Sequence, residues 1–273
     1  MRTVQTMTRN NAGMSNDQLR AAAPSIFATE PWHAMSDRYT FIPTSAVVDR
    51  MRNEGFIPVS AIQSRARIAG KGEFTKHQIR FRDSRNTELT RHLGQVSAEI
   101  MLTNSHDGAS AYKIDAALFR LVCLNGMVVD AGTIAPINVR HAGGADGIIE
   151  ASFEVIDQMP KALESIERFQ QLKLSAPEQR AYATAALALR YDEGTAPVAA
   201  EQVMRARRTE DRDGSLWSAF NVAQENLVNG GLRGRNAETR RRVTTRPVNG
   251  ISENTRLNKA LWTLTQEMAK LVA

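Results

Sequence analysis

The residues best placed to do chemistry are basic, and their spacing says which chemistry. Arg65 and Arg67 alternate in one extended run, and Lys76, Arg80 and Arg82 share one side of the next. Side chains two apart on a strand point the same way. A hairpin of these runs therefore carries five positive charges on one face, with Ile79 and Phe81 on the other. Like charges set opposite each other weaken a sheet unless something neutralises them. The internal candidates are Glu99 and Asp115, and the external one is a polyanion. A second basic stretch lies between Val228 and Gly250. It holds Arg233, Arg235, Arg240, Arg241, Arg242 and Arg246 against a single acid, Glu238. Clustered arginines attract phosphate backbones, and nucleic acid is the commonest cytoplasmic polyanion.

Other reactive groups are sparse. Asn104-Ser105-His106-Asp107-Gly108 places a histidine beside a carboxylate, and His141 is a third group for an enzyme built around His106 and Asp107. The same five residues are also ordinary turn chemistry. Cys123, His141 and Asp130 are the nearby metal-ligand types, but no CxxC, HxxxH or HExxH pairing exists, so no metal site is expected. Cys123 sits in the apolar run Leu121-Val122-Cys123-Leu124 and reads as a small buried hydrophobe. Neither GxxxxGK[ST] nor GxGxxG after a strand is present, so no nucleotide cofactor is expected. Gly143-Gly144-Ala145-Asp146-Gly147 reads as a hinge before a helix. Asn221, Gln224, Glu225 and Asn226 crowd one helix and read as a buried hydrogen-bond network.

The elements that must position these groups follow from periodicity. Residues 1–30 lack a clear period and are expected to be poorly ordered. Residues 31–145 form an antiparallel sheet region behind one helix. That helix opens at Pro43-Thr44-Ser45, buries Val47, Val48 and Met51, and stops at Gly55. Strands are expected at 60–69 and 75–82 around Gly70-Lys71-Gly72, then at 95–103, then between 111 and 129 with a break at Asn125-Gly126. Residues 146–273 are helical, with helices over 148–172 (containing Pro160), 177–191, after Pro197, 216–227 and 252–272, and a basic loop at 228–250. The fold class is α+β, an antiparallel β-meander sheet followed by a helical C-terminal half.

Composition narrows the class. The 273 residues are 42% hydrophobic and 23% charged, with a net charge of +6 and a sequence pI near 9.8. These values exclude a disordered chain, a disulfide scaffold and a collagen-like repeat. The single Cys123 forms no internal disulfide. No run reaches the roughly 18 apolar residues that span a bilayer. The first residues lack a signal-peptide apolar block. A cytoplasmic protein without membrane contact is expected.

Several separated motifs carry a family resemblance. They are Asn104-Ser105-His106-Asp107-Gly108, Arg120-Leu121-Val122-Cys123-Leu124-Asn125-Gly126, Leu216-Trp217 through Phe220-Asn221, Gln224-Glu225-Asn226, Gly230-Gly231, and Leu257-Asn258 with Leu261-Trp262. In this order they resemble domain of unknown function 932, the phage/plasmid-like proteins, over roughly residues 30 to 265. The resemblance implies a mobile-element setting and no particular reaction, so no catalytic residue is carried over. Arg120, Asn125, Asn221, Gln224 and Asn226 are the positions where a family site would fall. A sheet followed by helices is also similar to the core of phage single-strand annealing proteins, a likeness of fold alone.

The expected function is non-enzymatic, largely sequence-independent binding of DNA, with single strands preferred and homo-oligomers formed if strands are annealed. Arg65, Arg67, Lys76, Arg80, Arg82 and Arg120 would contact phosphates, and Arg240, Arg241 and Arg242 would clamp from the C-terminal loop. The rival expectation is a module that binds a host defence or regulatory protein. The third is an enzyme using His106, Asp107 and His141.

Overall fold

The computed structural model describes residues 6–7, 13–36, 39–85, 96–120, 125–128, 137–139 and 144–273. The chain divides into two compact units, Met1–Gly126 with Ala131–Pro160, and Met127–Asp130 with Lys161–Ala273. The expected α+β class is what the structure has: an antiparallel sheet in the N-terminal half, then helices.

The first unit starts earlier than expected. Strand β1 (Thr6–Met7) pairs with Ala61 and Ser60. Helix α1 (Asn16–Ala22) opens with a capping box in which the Ser15 and Gln18 side chains each serve the other's backbone N–H. Leu19 of α1 and Ile26 of the following 3-10 turn are fully buried. Residues 13–30, expected to be poorly ordered, thus hold a helix and a 3-10 turn that bury side chains in the core, while 1–5 and 8–12 lie outside the described residues. Five buried apolar side chains, Met14, Leu19, Ala23, Ile26 and Ala28, anchor them; they are spread over a short helix, a 3-10 turn and the loops between, so no single period marks them. Helix α2 (Thr44–Asn53) buries Val47, Val48 and Met51 as expected.

Strands β2 (Phe56–Gln63), β3 (His77–Asp83), β4 (Val96–Asn104) and β5 (Tyr112–Arg120) pair in sequence order, all antiparallel. Strand β6 (Asn125–Val128) is next in the order, and β7 (Ile137–Val139) pairs with the start of β5. Pro58 is accommodated at a bulge in β2, where a missing N–H does least harm. On one sheet face Ile79, Phe81, Ile100, Leu102, Ile114 and Leu118 are buried. Helix α3 (Gly144–Gln171) contributes to this core: Phe153 meets Phe56 at 5.4 Å and Ser152 Oγ donates to Met51 Sδ at 3.5 Å. The unit boundary falls at Pro160, inside α3.

The second unit is built around α6. Its helices are α4 (Ala176–Ala188), α5 (Ala200–Val203), α6 (Leu216–Asn229) and α7 (Ile251–Leu271), with two short strands, β8 (Arg233–Arg235) and β9 (Arg242–Thr244). Every residue of α6 from Leu216 to Val228 is buried, polar ones included. Trp262 of α7 is fully buried against Phe169 (5.4 Å) and Phe220 (5.7 Å). Tyr182 and Thr265 close the α4–α7 contact with a 2.8 Å hydroxyl pair. Among the described residues no helix is long and apolar enough to cross a membrane. Replacing Trp262 by alanine empties the centre of this core. It is expected to destabilise the second unit by about 3–5 kcal/mol in urea unfolding.

Candidate nucleic-acid interface

The segment expected to be a basic loop is a two-stranded ribbon. β8 and β9 pair antiparallel with Arg233 opposite Thr244, Gly234 opposite Val243, and Arg235 opposite Arg242. The strands are only three residues each, Arg-Gly-Arg and Arg-Val-Thr, which is why no alternating pattern announces them. Alternation puts Arg233, Arg235 and Arg242 on one face. All three are exposed, as are Arg240 and Arg241 in the turn. Among the described residues, no salt bridge involves any of these five.

The ribbon keeps its arginines at a cost in two places. Thr245 N–H donates to Leu232 O, and Asn236 N–H to Arg241 O. Counting along the ladder makes Arg235 and Arg242 a non-hydrogen-bonded pair, the closer kind, with Cα atoms about 4.5 Å apart. Two guanidinium groups therefore leave the same spot on the same face. Arg240 is the second place. Its φ of 57° is the only positive value on a non-glycine residue among those described. That conformation favours Gly or Asn and costs another L-residue about 1–2 kcal/mol. The turn is held by Asn236, whose Oδ1 accepts from Glu238 N–H, Thr239 N–H and the Thr239 hydroxyl. Arg235 Nη1 donates to the Arg240 carbonyl at 3.2 Å.

The polar residues of α6 hold up the segments on which the ribbon rests. Asn226 Nδ2 donates to the carbonyls of Val203 and Arg205, and its Oδ1 accepts from Arg207 Nε at 2.6 Å. Arg207 also donates to the Gly230 carbonyl, and Arg190 to those of Leu227 and Arg246. Gln202 Nε2 then reaches Arg233 O, and Arg235 N–H reaches Pro197 O at 2.8 Å. Gly234 must be glycine, because an added Cβ would collide with the Pro197 carbonyl. Glu225 pairs with Arg208, and Gln224 with Asn258. Asn221 donates to Trp217 O. The expected buried network on α6 is therefore present.

The hairpin residues do not form the open platform that alternation suggests. β2 ends at Gln63 and β3 begins at His77, so Arg65, Arg67 and Lys76 lie in the connection between the strands. Arg65 and Arg67 are exposed there, and Lys76 is half-buried. Arg80 and Arg82 do share the face opposite Ile79 and Phe81. That face is closed, however: Arg80 is 6% exposed and Glu99 0%. Glu99 takes both arginines, Arg80 at 2.6 Å and Arg82 at 3.0 Å. Part of this charge is offset internally, by Glu99, one of the two acids at hand in the sequence. Arg120 is buried as well.

His106 belongs to a buried cluster rather than an accessible site. Thr44 Oγ1 lies 3.0 Å from His77 Nε2, 3.1 Å from His106 Nε2, 2.9 Å from Tyr112 Oη and 3.2 Å from Asn104 Nδ2. His77 Nδ1 faces Ser25 Oγ at 2.8 Å and Thr75 O at 3.3 Å. Thr44 Oγ1 has one proton and two lone pairs, so one proton assignment satisfies three of its four contacts and leaves Tyr112 Oη in contact without a shared proton. His77 carries its proton on Nδ1 and accepts at Nε2 from the Thr44 hydroxyl. His106 Nε2–H and Asn104 Nδ2–H donate to Thr44, and Tyr112 O–H donates to Ile42 O. Asp107 pairs with Lys71 at 3.1 Å. No group of three His, Cys, Asp or Glu suited to a metal exists among the described residues. His141 and Cys123 lie outside the described residues.

The chain belongs to the family named domain of unknown function (DUF932), which it matches over residues 31–262. It is similar to two proteins of Escherichia coli strain K12, UPF0380 protein YafZ (38% identical) and UPF0380 protein YfjQ (37%). Each alignment covers 96% of this chain and 94% of the relative. No solved structure matches the chain.

Two outcomes follow from this geometry. Arg240→Gly relieves the left-handed strain and is expected to raise the stability of the second unit by about 1 kcal/mol in urea unfolding. His77 gives a pH dependence. Burial, reinforced by His106, pushes it down from 6.5 to about 3. The folded protein keeps His77 neutral while the unfolded chain takes up a proton below 6.5. Stability is therefore expected to fall as pH drops from 6.5 toward 3, by at most about 1.4 kcal/mol per pH unit from this group. Unfolding midpoints across that range check it, with the slope reduced in His77→Gln.

Proposed function

We propose that this chain is a non-enzymatic DNA-binding protein that grips the phosphate backbone through its β8–β9 ribbon, largely without regard to sequence. One observation carries the reading. The ribbon holds arginine at two positions where folding alone disfavours it, the close Arg235–Arg242 pair and the left-handed Arg240. A polyanion relieves the repulsion and uses the charge. The mobile-element setting implied by the resemblance supports DNA as that polyanion. Arg233 extends the contact, and Arg240, Arg241 and Arg242 keep the clamping role expected of them. Exposed Arg65 and Arg67 add a lesser contact on the first unit. Arg80 and Arg82 are committed to Glu99.

The test is binding of the full chain to labelled oligonucleotides at several salt concentrations. Affinity is expected to fall steeply with salt. The double variant R240A/R241A, which removes two turn arginines from the phosphates, should weaken binding across all sequences and reduce the slope of log K against log salt by about two. No binding at low salt, or an unchanged slope in the variant, contradicts the proposal.

A further inference from the structure

Resting on the DNA-binding reading above, we infer that the β8–β9 ribbon takes double-helical DNA in the B form and lays its arginine face in the major groove. Residues 231–246 contain no Phe, Tyr, Trp or His. Single-strand binders draw affinity from bases stacked on aromatic rings, and this ribbon has no such platform. The ligand's bases are then best left paired, which replaces the single-strand preference expected from the sequence.

Shape selects the groove. A two-stranded ribbon fits the B-DNA major groove, about 12 Å wide, and not the minor groove at about 6 Å. The major groove of an A-form RNA duplex is too deep and narrow for side chains to read. Chemistry agrees with shape. Arg235 and Arg242 leave adjacent points on one face, each able to give two parallel N–H donors. Guanine O6 and N7, on the major-groove floor, match that fork wherever a guanine falls beneath the ribbon, a local preference added to phosphate binding that does not depend on sequence. Arg240 and Arg241, in the turn, reach the flanking phosphates. The ribbon is also held in advance: Pro197 and Gln202 fix the backbone of β8, so little order must be gained on binding.

The experiment compares three probes of one sequence with the full chain: a DNA duplex, its single strand, and the corresponding RNA duplex. The DNA duplex is expected to bind at least about tenfold tighter than either other probe. Replacing its guanines by 7-deazaguanine, which lacks N7, should weaken binding about fivefold or more. R235A/R242A should lose both distinctions while its melting temperature stays within a few degrees of wild type. Equal or tighter binding of the single strand or the RNA duplex overturns the groove assignment. Indifference of the wild type to 7-deazaguanine overturns it too, and both results leave the DNA-binding reading standing. No binding to any probe overturns that reading and this assignment together.

Discussion

Two exposed arginines, Arg235 and Arg242, stand directly across from each other in the register of a ribbon of three-residue strands, and the second unit is arranged so that this pair can exist. An isolated hairpin of this length is marginal in water even without like charges. Here the ribbon borrows stability from the body. Its outer edge bonds to Pro197 and Gln202, and its stem is tied by Thr245 to Gly231 and Leu232. Those segments are held in turn by buried amides of α6, with Asn226 the most connected. The polar residues of α6 thus act at a distance from any ligand. They hold a frame on which a repulsive cationic face can be displayed.

The first unit buries part of its charge. Glu99 binds Arg80 and Arg82 on the closed face of the sheet. Removing one partner from such a buried group leaves an uncompensated charge, which is strongly destabilising. The group also pins the register of β3 on β4, because a one-residue slip would carry Glu99 to the apolar face. At the other end of the same strands, His77, Asn104 and His106 meet Thr44 at the start of α2. Polar side chains thus lock α2 to the sheet where apolar packing ends.

The larger elements were legible because their periods are long. The buried stripes Val47-Val48-Met51 and Leu257-Leu261-Met268 and the Gly230-Gly231 stop fall where spacing puts them. Alternation also sorted Arg80 and Arg82 from Ile79 and Phe81. It could not show that the polar face is closed, since that depends on contacts far apart in sequence. Strand ends were misplaced for a local reason. Arg65, Arg67 and Lys76 continue the alternation of their neighbours, yet β2 has already ended at Gln63. Arg-Gly-Arg and Arg-Val-Thr are too short to carry a period at all. Their pairing rests on the Asn236 turn and on the carbonyl of Pro197, 38 residues before Arg235 in the chain. The charge of the candidate site could be read from the sequence, and its shape could not.

The central claim is that the β8–β9 ribbon is the surface that meets DNA. Amide hydrogen exchange across the whole chain, with and without a saturating DNA duplex, tests it most directly. Exchange is expected to slow chiefly over residues 231–245, as the ribbon's backbone is covered and steadied. Unchanged exchange in the ribbon, with protection concentrated instead on residues 56–83 of the first unit, would contradict it.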